Sequence, residues 1–114
     1  MEEMKKSLSF NEIVERSLVI RECYHRLEQQ HHGTQWSVEE DALAFLTDAG
    51  LVGRLTMSEQ KRWPKGGETR SELQHKLSEC IWWLIILAER MEVDISESME
   101  VFLSSFEDQN PSSV

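Results

Sequence analysis

Five acidic residues and one lysine are spaced so that two helices would turn them toward each other. Asp41 and Asp48 lie seven apart, and so do Glu72 and Glu79. Seven residues is close to two helical turns, so each pair shares a face. Lys76 stands between Glu72 and Glu79 on that face, and Glu40 adjoins Asp41. Bundles hold hard divalent cations with carboxylates that project inward from facing helices. The plainer alternative is a solvated acidic face.

A second group is basic. Arg54, Lys61, Arg62, Lys65 and Arg70 are five of the chain's 12 basic residues, and only Glu59 and Glu68 oppose them in that stretch. Such a cluster suits a small polyanion better than a duplex. Trp63, between Arg62 and Lys65, is placed to stack on a base while its neighbours hold phosphates. Trp36 precedes a helix start, where it is either a hydrophobic staple or a second wall for a base. A solvated connector is the competing reading of the loop. Of the four histidines, His31 and His32 adjoin Gly33, as a metal pair or simply as a polar turn. The chain has no phosphate-cradling glycine loop, no G-x-S-x-G and no H-E-x-x-H.

These side chains need helices to position them. Four S/T/D-x-x-E patterns predict helix starts: Ser9 with Glu12, Ser37 with Glu40, Thr69 with Glu72, and Asp94 with Glu97. The first helix is predicted over Phe10 to Gln30, with Ile13, Val14, Ser17, Ile20, Tyr24 and Leu27 on its inner stripe. The second runs over Val38 to Leu55 and contains Gly50 and Gly53, which imply close packing. The third runs over Arg70 to Met91. Its second half, Trp82 to Ala88, is apolar on every side, so it must be covered on every side. One small bundle would hardly suffice, which points to a homodimer or homotetramer formed through helix three. The fourth runs over Ile95 to Phe106, with Met99, Phe102, Leu103 and Phe106. The expected fold is an all-α four-helix bundle, one domain over 1–109 with a disordered tail at 110–114. The connection from Met57 to Thr69 is long enough to be functional, and it would also permit a helical hairpin to swap between copies.

Composition narrows the partners. The 114 residues carry 12 Lys+Arg against 21 Asp+Glu, a formal net charge of −9. That disfavours a DNA or RNA duplex and an anionic membrane. The longest apolar run, Cys80 to Ala88, is too short to span a bilayer, and MEEMKKSLSF has no apolar leader core. Cys23 and Cys80 are far apart and outside any CxxC, as expected of free thiols in the cytoplasm.

The stretch from Trp36 to Glu97 resembles the MazG-like, all-α nucleoside triphosphate pyrophosphohydrolase family. Trp36-Ser37 through Leu46-Thr47-Asp48-Ala49-Gly50-Leu51 is similar to that family's W-s…L-x-E-E-x-G-E-L segment. Glu72 through Ile95, above all Trp82-Trp83-Leu84…Leu87-Ala88-Glu89-Arg90…Val93-Asp94-Ile95, is similar to its second segment. The resemblance implies a four-helix protomer that pairs into larger bundles. It also implies an E-x-x-E pair and an E-x-x-D pair that hold Mg²⁺ on a nucleoside triphosphate, with water releasing pyrophosphate and the monophosphate.

Position by position, Asp48 matches the first Glu and Glu79 the closing Asp. Leu51 and Lys76 stand where the other two acids belong. Four carboxylates would contribute −4, whereas this set contributes −1. Catalysis, if present, would rest on Asp48 and Glu79 as metal ligands, with Glu72, Glu40 or Asp41 in support. Arg62, Lys65 and Arg70 would hold the phosphates, and Trp63 and Trp36 the base. Alternatively, Lys76 takes the cation's place between Asp48 and Glu79. Turnover is then weak or absent, and the chain is a non-catalytic nucleotide-binding or oligomeric interaction module.

Overall fold

The computed structural model describes residues 7–109, all four of whose regular elements are helices. They are α1 (Phe10–His32), α2 (Val38–Glu59), α3 (Arg70–Arg90) and α4 (Ile95–Gln109). The expected tail at 110–114 and the first six residues lie outside the described residues. No described helix is long and apolar enough to cross a membrane.

Two of the predicted capping boxes form in full. Ser9 and Ser37 each accept from the amide of the glutamate three residues on, and each glutamate accepts from the serine amide in return. Asp94 accepts from the Glu97 amide at α4. The third box does not form. Thr69 makes no side-chain cap and sits in helical geometry. The Glu68 carboxylate instead accepts from the Arg70 and Ser71 amides, a site where negative charge meets the unsatisfied N–H groups of a helix start.

Three helices outrun their predicted ends, α4 by running on from Phe106 to Gln109. α1 absorbs His31 and His32 and closes on Gly33, whose φ of 76° is the left-handed cap that glycine adopts without a Cβ penalty. α2 continues through Gly53 to Glu59. Within the protomer its glycines are not closely packed, since a Cβ at Gly50 or Gly53 would meet nothing within 4 Å.

The main packing is α2 against α3, with α1 laid across α3 and α4 touching the bundle lightly. The hydrophobic core is small: Leu55 of α2 with Trp83, Ile85, Ile86, Leu87 and Ala88 of α3. The protomer therefore covers most of the apolar half of α3 by itself, more than its sequence suggests. What stays open is a stripe of Leu77, Ile81 and Leu84, each about half exposed.

Candidate functional site

Asp48 is buried in the middle of α2, facing the first turns of α3. Lys76 reaches across that seam. Its Nζ donates to Asp48 Oδ1 at 3.1 Å and to Glu79 Oε1 at 2.8 Å. Trp83, two turns beyond Lys76, donates from Nε1 to the other Asp48 oxygen at 3.0 Å. His75 Nε2 lies 3.3 Å from Glu79 Oε1. Both Asp48 oxygens thus already accept from protein donors. Hydrogen bonds from Lys76 to Glu79 and Asp48 push its ammonium pKa above the ordinary lysine value. Burial beside the same carboxylates pushes the Cys80 thiol up, away from thiolate chemistry.

These residues do not fit an Mg²⁺ ion as arranged. The ion needs near-octahedral oxygen donors, and here an ammonium occupies the space between the two motif carboxylates. Leu51, one turn beyond Asp48, presents a half-exposed isobutyl group. Glu72 is paired with Lys65 at 3.2 Å, Glu40 is spent on the α2 cap, and Asp41 is buried elsewhere. Among the described residues no group of three or more His, Cys, Asp or Glu side chains is arranged to hold a metal.

The basic loop is built rather than loose. After α2 the amides of Lys61, Arg62 and Trp63 turn back onto the Ser58 and Met57 carbonyls, with Lys61 at a φ of 62°. Arg54 stacks on the Trp63 ring at 3.7 Å and donates to its carbonyl. That ring is a loop anchor with one face already covered. Lys65 pairs with Glu72 and Arg70 with Glu59, while Arg62 is exposed. Three of the five cations are therefore already held, Arg54 by the loop's Trp63, Lys65 by Glu72 of α3 and Arg70 by Glu59 at the end of α2.

Trp36 belongs to a different place. Its amide donates to Glu28 and its carbonyl accepts from Arg90. Its ring helps line a groove of about 610 Å³ between α1 and α3. Tyr24, Trp82, Trp83, His75 and Glu79 share that groove; Arg62, Trp63, Lys65 and Arg70 do not. The structure thus joins Trp36 to the Glu79 end of the carboxylate cluster but not to the loop.

A network that the sequence analysis did not anticipate lies beneath Trp36. Asp41 is fully buried between two guanidiniums, Arg21 at 2.9 Å and Arg90 at 2.9 Å. Arg21 also pairs with Glu28 at 3.1 Å. Glu28 is pulled below the usual carboxylate range: its burial works the other way, but the Trp36 amide and Arg21 outweigh it. Arg21 lies 5.8 Å from the Trp83 ring, so Trp83 touches both charge clusters. The available signal was positional. Arg21 and Glu28 continue the helix face that carries Ser17, itself on the predicted inner stripe.

Comparison with protein-family models, curated proteins and solved structures returns no match. The functional reading therefore rests on the residues and their geometry.

Proposed function

We propose that this chain is a MazG-like protein of the nucleoside triphosphate pyrophosphohydrolase type whose metal site has been replaced by a lysine, leaving turnover weak or absent. The observation that carries this reading is the Lys76 ammonium bridging Asp48 and Glu79. An internal cation there neutralises one of the two charges and ties α2 to α3, which a bridging metal would otherwise do. The working role is then binding or assembly. The exposed stripe on α3 supports a homodimer or homotetramer through that helix. Two free cysteines suit the cytoplasm. If a nucleoside triphosphate binds, the aromatic groove that Trp36 and Glu79 share is better equipped for the base than Trp63, whose ring carries Arg54.

The test is pyrophosphate release from a panel of ribo- and deoxynucleoside triphosphates with Mg²⁺ and with Mn²⁺. The natural chain, Asp48→Ala and the double variant Leu51→Glu/Lys76→Glu are run together. Silence from the natural chain and activity in the double variant are expected. Turnover by the natural chain that Asp48→Ala abolishes would overturn the proposal.

A further inference from the structure

The Lys76 cluster and the Asp41 network both meet Trp83, and their charges do not cancel. Among the described residues, Lys76, Arg21 and Arg90 bring the positive charges. Asp48, Glu79, Glu28 and Asp41 oppose them, one carboxylate more than the cations they face. His75, 3.3 Å from Glu79, closes the difference only when protonated. The surplus has a definite place. Asp48, Glu28 and Asp41 each accept at both oxygens. Glu79 meets Lys76 and His75 with Oε1 alone, which leaves Oε2 to accept. Its neighbour Cys80 senses the same field: burial first, then Asp48 and Glu79, raise the thiol pKa against the pull of Lys76.

Glu79 lines the groove between α1 and α3, and aromatic rings line it too. Tyr24 and Trp82 stand at 78° with centroids 6.1 Å apart, so they form two adjoining walls of a corner rather than a closed stack. The Tyr24 side chain is half exposed, and Trp36 is 42% exposed, so π surface remains open. Ile20 and Ile81 complete the apolar wall. The buried Trp82 Nε1 has no hydrogen-bond partner, a donor that a ligand carbonyl would satisfy. Ring faces beside a carboxylate attract a desolvated cation through the ring quadrupoles and the charge together.

We infer that the α1–α3 groove selects a flat aromatic monocation, a planar heterocycle that carries a single positive charge and a carbonyl group. The inference deepens, and rests on, the reading that this groove rather than the Trp63 loop receives a base. A volume of about 610 Å³ suits a ligand of that size. Charge sets the selection. A neutral heterocycle leaves the Glu79 surplus as it stands, and an anion adds to it, so any phosphates on the ligand lie outside the groove. A monocation cancels it. Arg21 also lines the groove, but Glu28 and Asp41 already hold its guanidinium at 3.1 and 2.9 Å. The cation could belong to the base of a nucleoside or to a free heterocycle such as a pyridinium; the two share this chemistry and differ in the ribose.

Isothermal titration calorimetry on the full chain at about pH 7.5 compares two matched pairs of probes. N1-methylnicotinamide is set against nicotinamide, and N3-methylcytidine against cytidine; within each pair the methyl group adds the charge and leaves the ring flat. The charged member of at least one pair is expected to bind at least about 10-fold tighter than its neutral partner. Preference confined to the cytidine pair assigns the cation to a nucleoside, and preference confined to the nicotinamide pair assigns it to a free heterocycle. Glu79→Gln should narrow the difference. Tyr24→Leu should weaken the charged probe while Tyr24→Phe retains it, with helicity by circular dichroism unchanged in both. Equal affinity for charged and neutral probes, lost in Tyr24→Leu, overturns the inference and leaves the groove as a base site. Binding of none of the four probes overturns both. Lys76 as the metal's replacement is judged separately, by pyrophosphate release.

Discussion

Lys76 Nζ lies 3.1 Å from Asp48 Oδ1, across the seam between α3 and α2 and 28 residues along the chain. The same nitrogen lies 2.8 Å from Glu79. One ammonium thus joins two helices through two carboxylates. It has neither the charge nor the coordination number to grip a triphosphate as a divalent ion does. What it supplies is a fixed, partly buried tie.

Removing that tie leaves two carboxylates facing each other. Lys76→Met keeps the aliphatic stem but no charge. It is expected to cost about 1–2 kcal/mol, above a surface pair and below a fully buried one. Urea denaturation of the two chains checks it. Leu51→Glu/Lys76→Glu is expected to be less stable still, and to recover when Mg²⁺ or Mn²⁺ is added, while the natural chain gains nothing from either ion. A rise in the natural chain's melting temperature with Mg²⁺ would count against the lysine's being a substitute.

The Asp41 network sets a steeper test. Asp41 has no exposed surface, and it faces Arg21 and Arg90 together. Asp41→Ala takes the shared carboxylate from two guanidiniums, leaving Arg21 with Glu28 and Arg90 with the Trp36 carbonyl, and breaking a buried pair in this way costs about 3–5 kcal/mol. Against a total stability of about 5–15 kcal/mol the variant should be at the edge of folding. Arg21→Met should cost more than Arg90→Met, because the Arg21 side chain is 6% exposed and that of Arg90 is 21%. Chemical denaturation that ranks them the other way would show that Arg90's bond to the Trp36 carbonyl, which holds the entry to α2, dominates.

The contrast between these two clusters shows what a sequence discloses. The helices were legible because their signals are local: Ser9 and Ser37 cap within three residues, and apolar spacing needs only one strand of chain. The Lys76 contacts were legible in part, since Glu79 is one turn away, whereas Asp48, on another helix, was set opposite Lys76 only by the family resemblance. Arg21, Asp41 and Arg90 are separated by 20 and 49 residues. Nothing in local spacing pairs them; only the meeting of α1, α2 and α3 does. Trp63 misled for a related reason. A tryptophan among cations reads as a binding platform, yet Arg54, nine residues earlier, folds back to cover it. Competition between a ligand and the loop's own cations is decided by tertiary geometry.

Helix capping offers a finer check. Ser37→Ala removes a reciprocal box and is expected to cost about 1 kcal/mol. Thr69→Ala removes only a hydroxyl bonded to Glu59 at 3.2 Å, and should cost less. Glu68→Ala should cost more than Thr69→Ala, because Glu68 holds both the Arg70 and Ser71 amides. Thermal unfolding of the three variants gives the order. Thr69→Ala as the most damaging of the three would restore the cap expected from the sequence.

His25 supplies a dependence on pH. Its Nε2 is buried without a hydrogen-bond partner. Burial first, then Arg21 and Arg90, push its pKa below the ordinary 6.5, against the opposing pull of Glu28 and Asp41. The folded chain therefore binds the His25 proton less readily than the unfolded chain. Where the unfolded state holds more protons, stability rises with pH. The contribution is fully present above 6.5 and is lost as pH falls through 6.5 toward the lower folded value. The slope from one such group cannot exceed about 1.4 kcal/mol per pH unit. His25→Gln keeps the size and abolishes the charge change. Urea midpoints measured from pH 7.5 to 5.5 should fall for the natural chain and fall less for His25→Gln. Equal slopes would mean that a protonated His25 is accommodated beside Arg21 after all, with Glu28 as its partner.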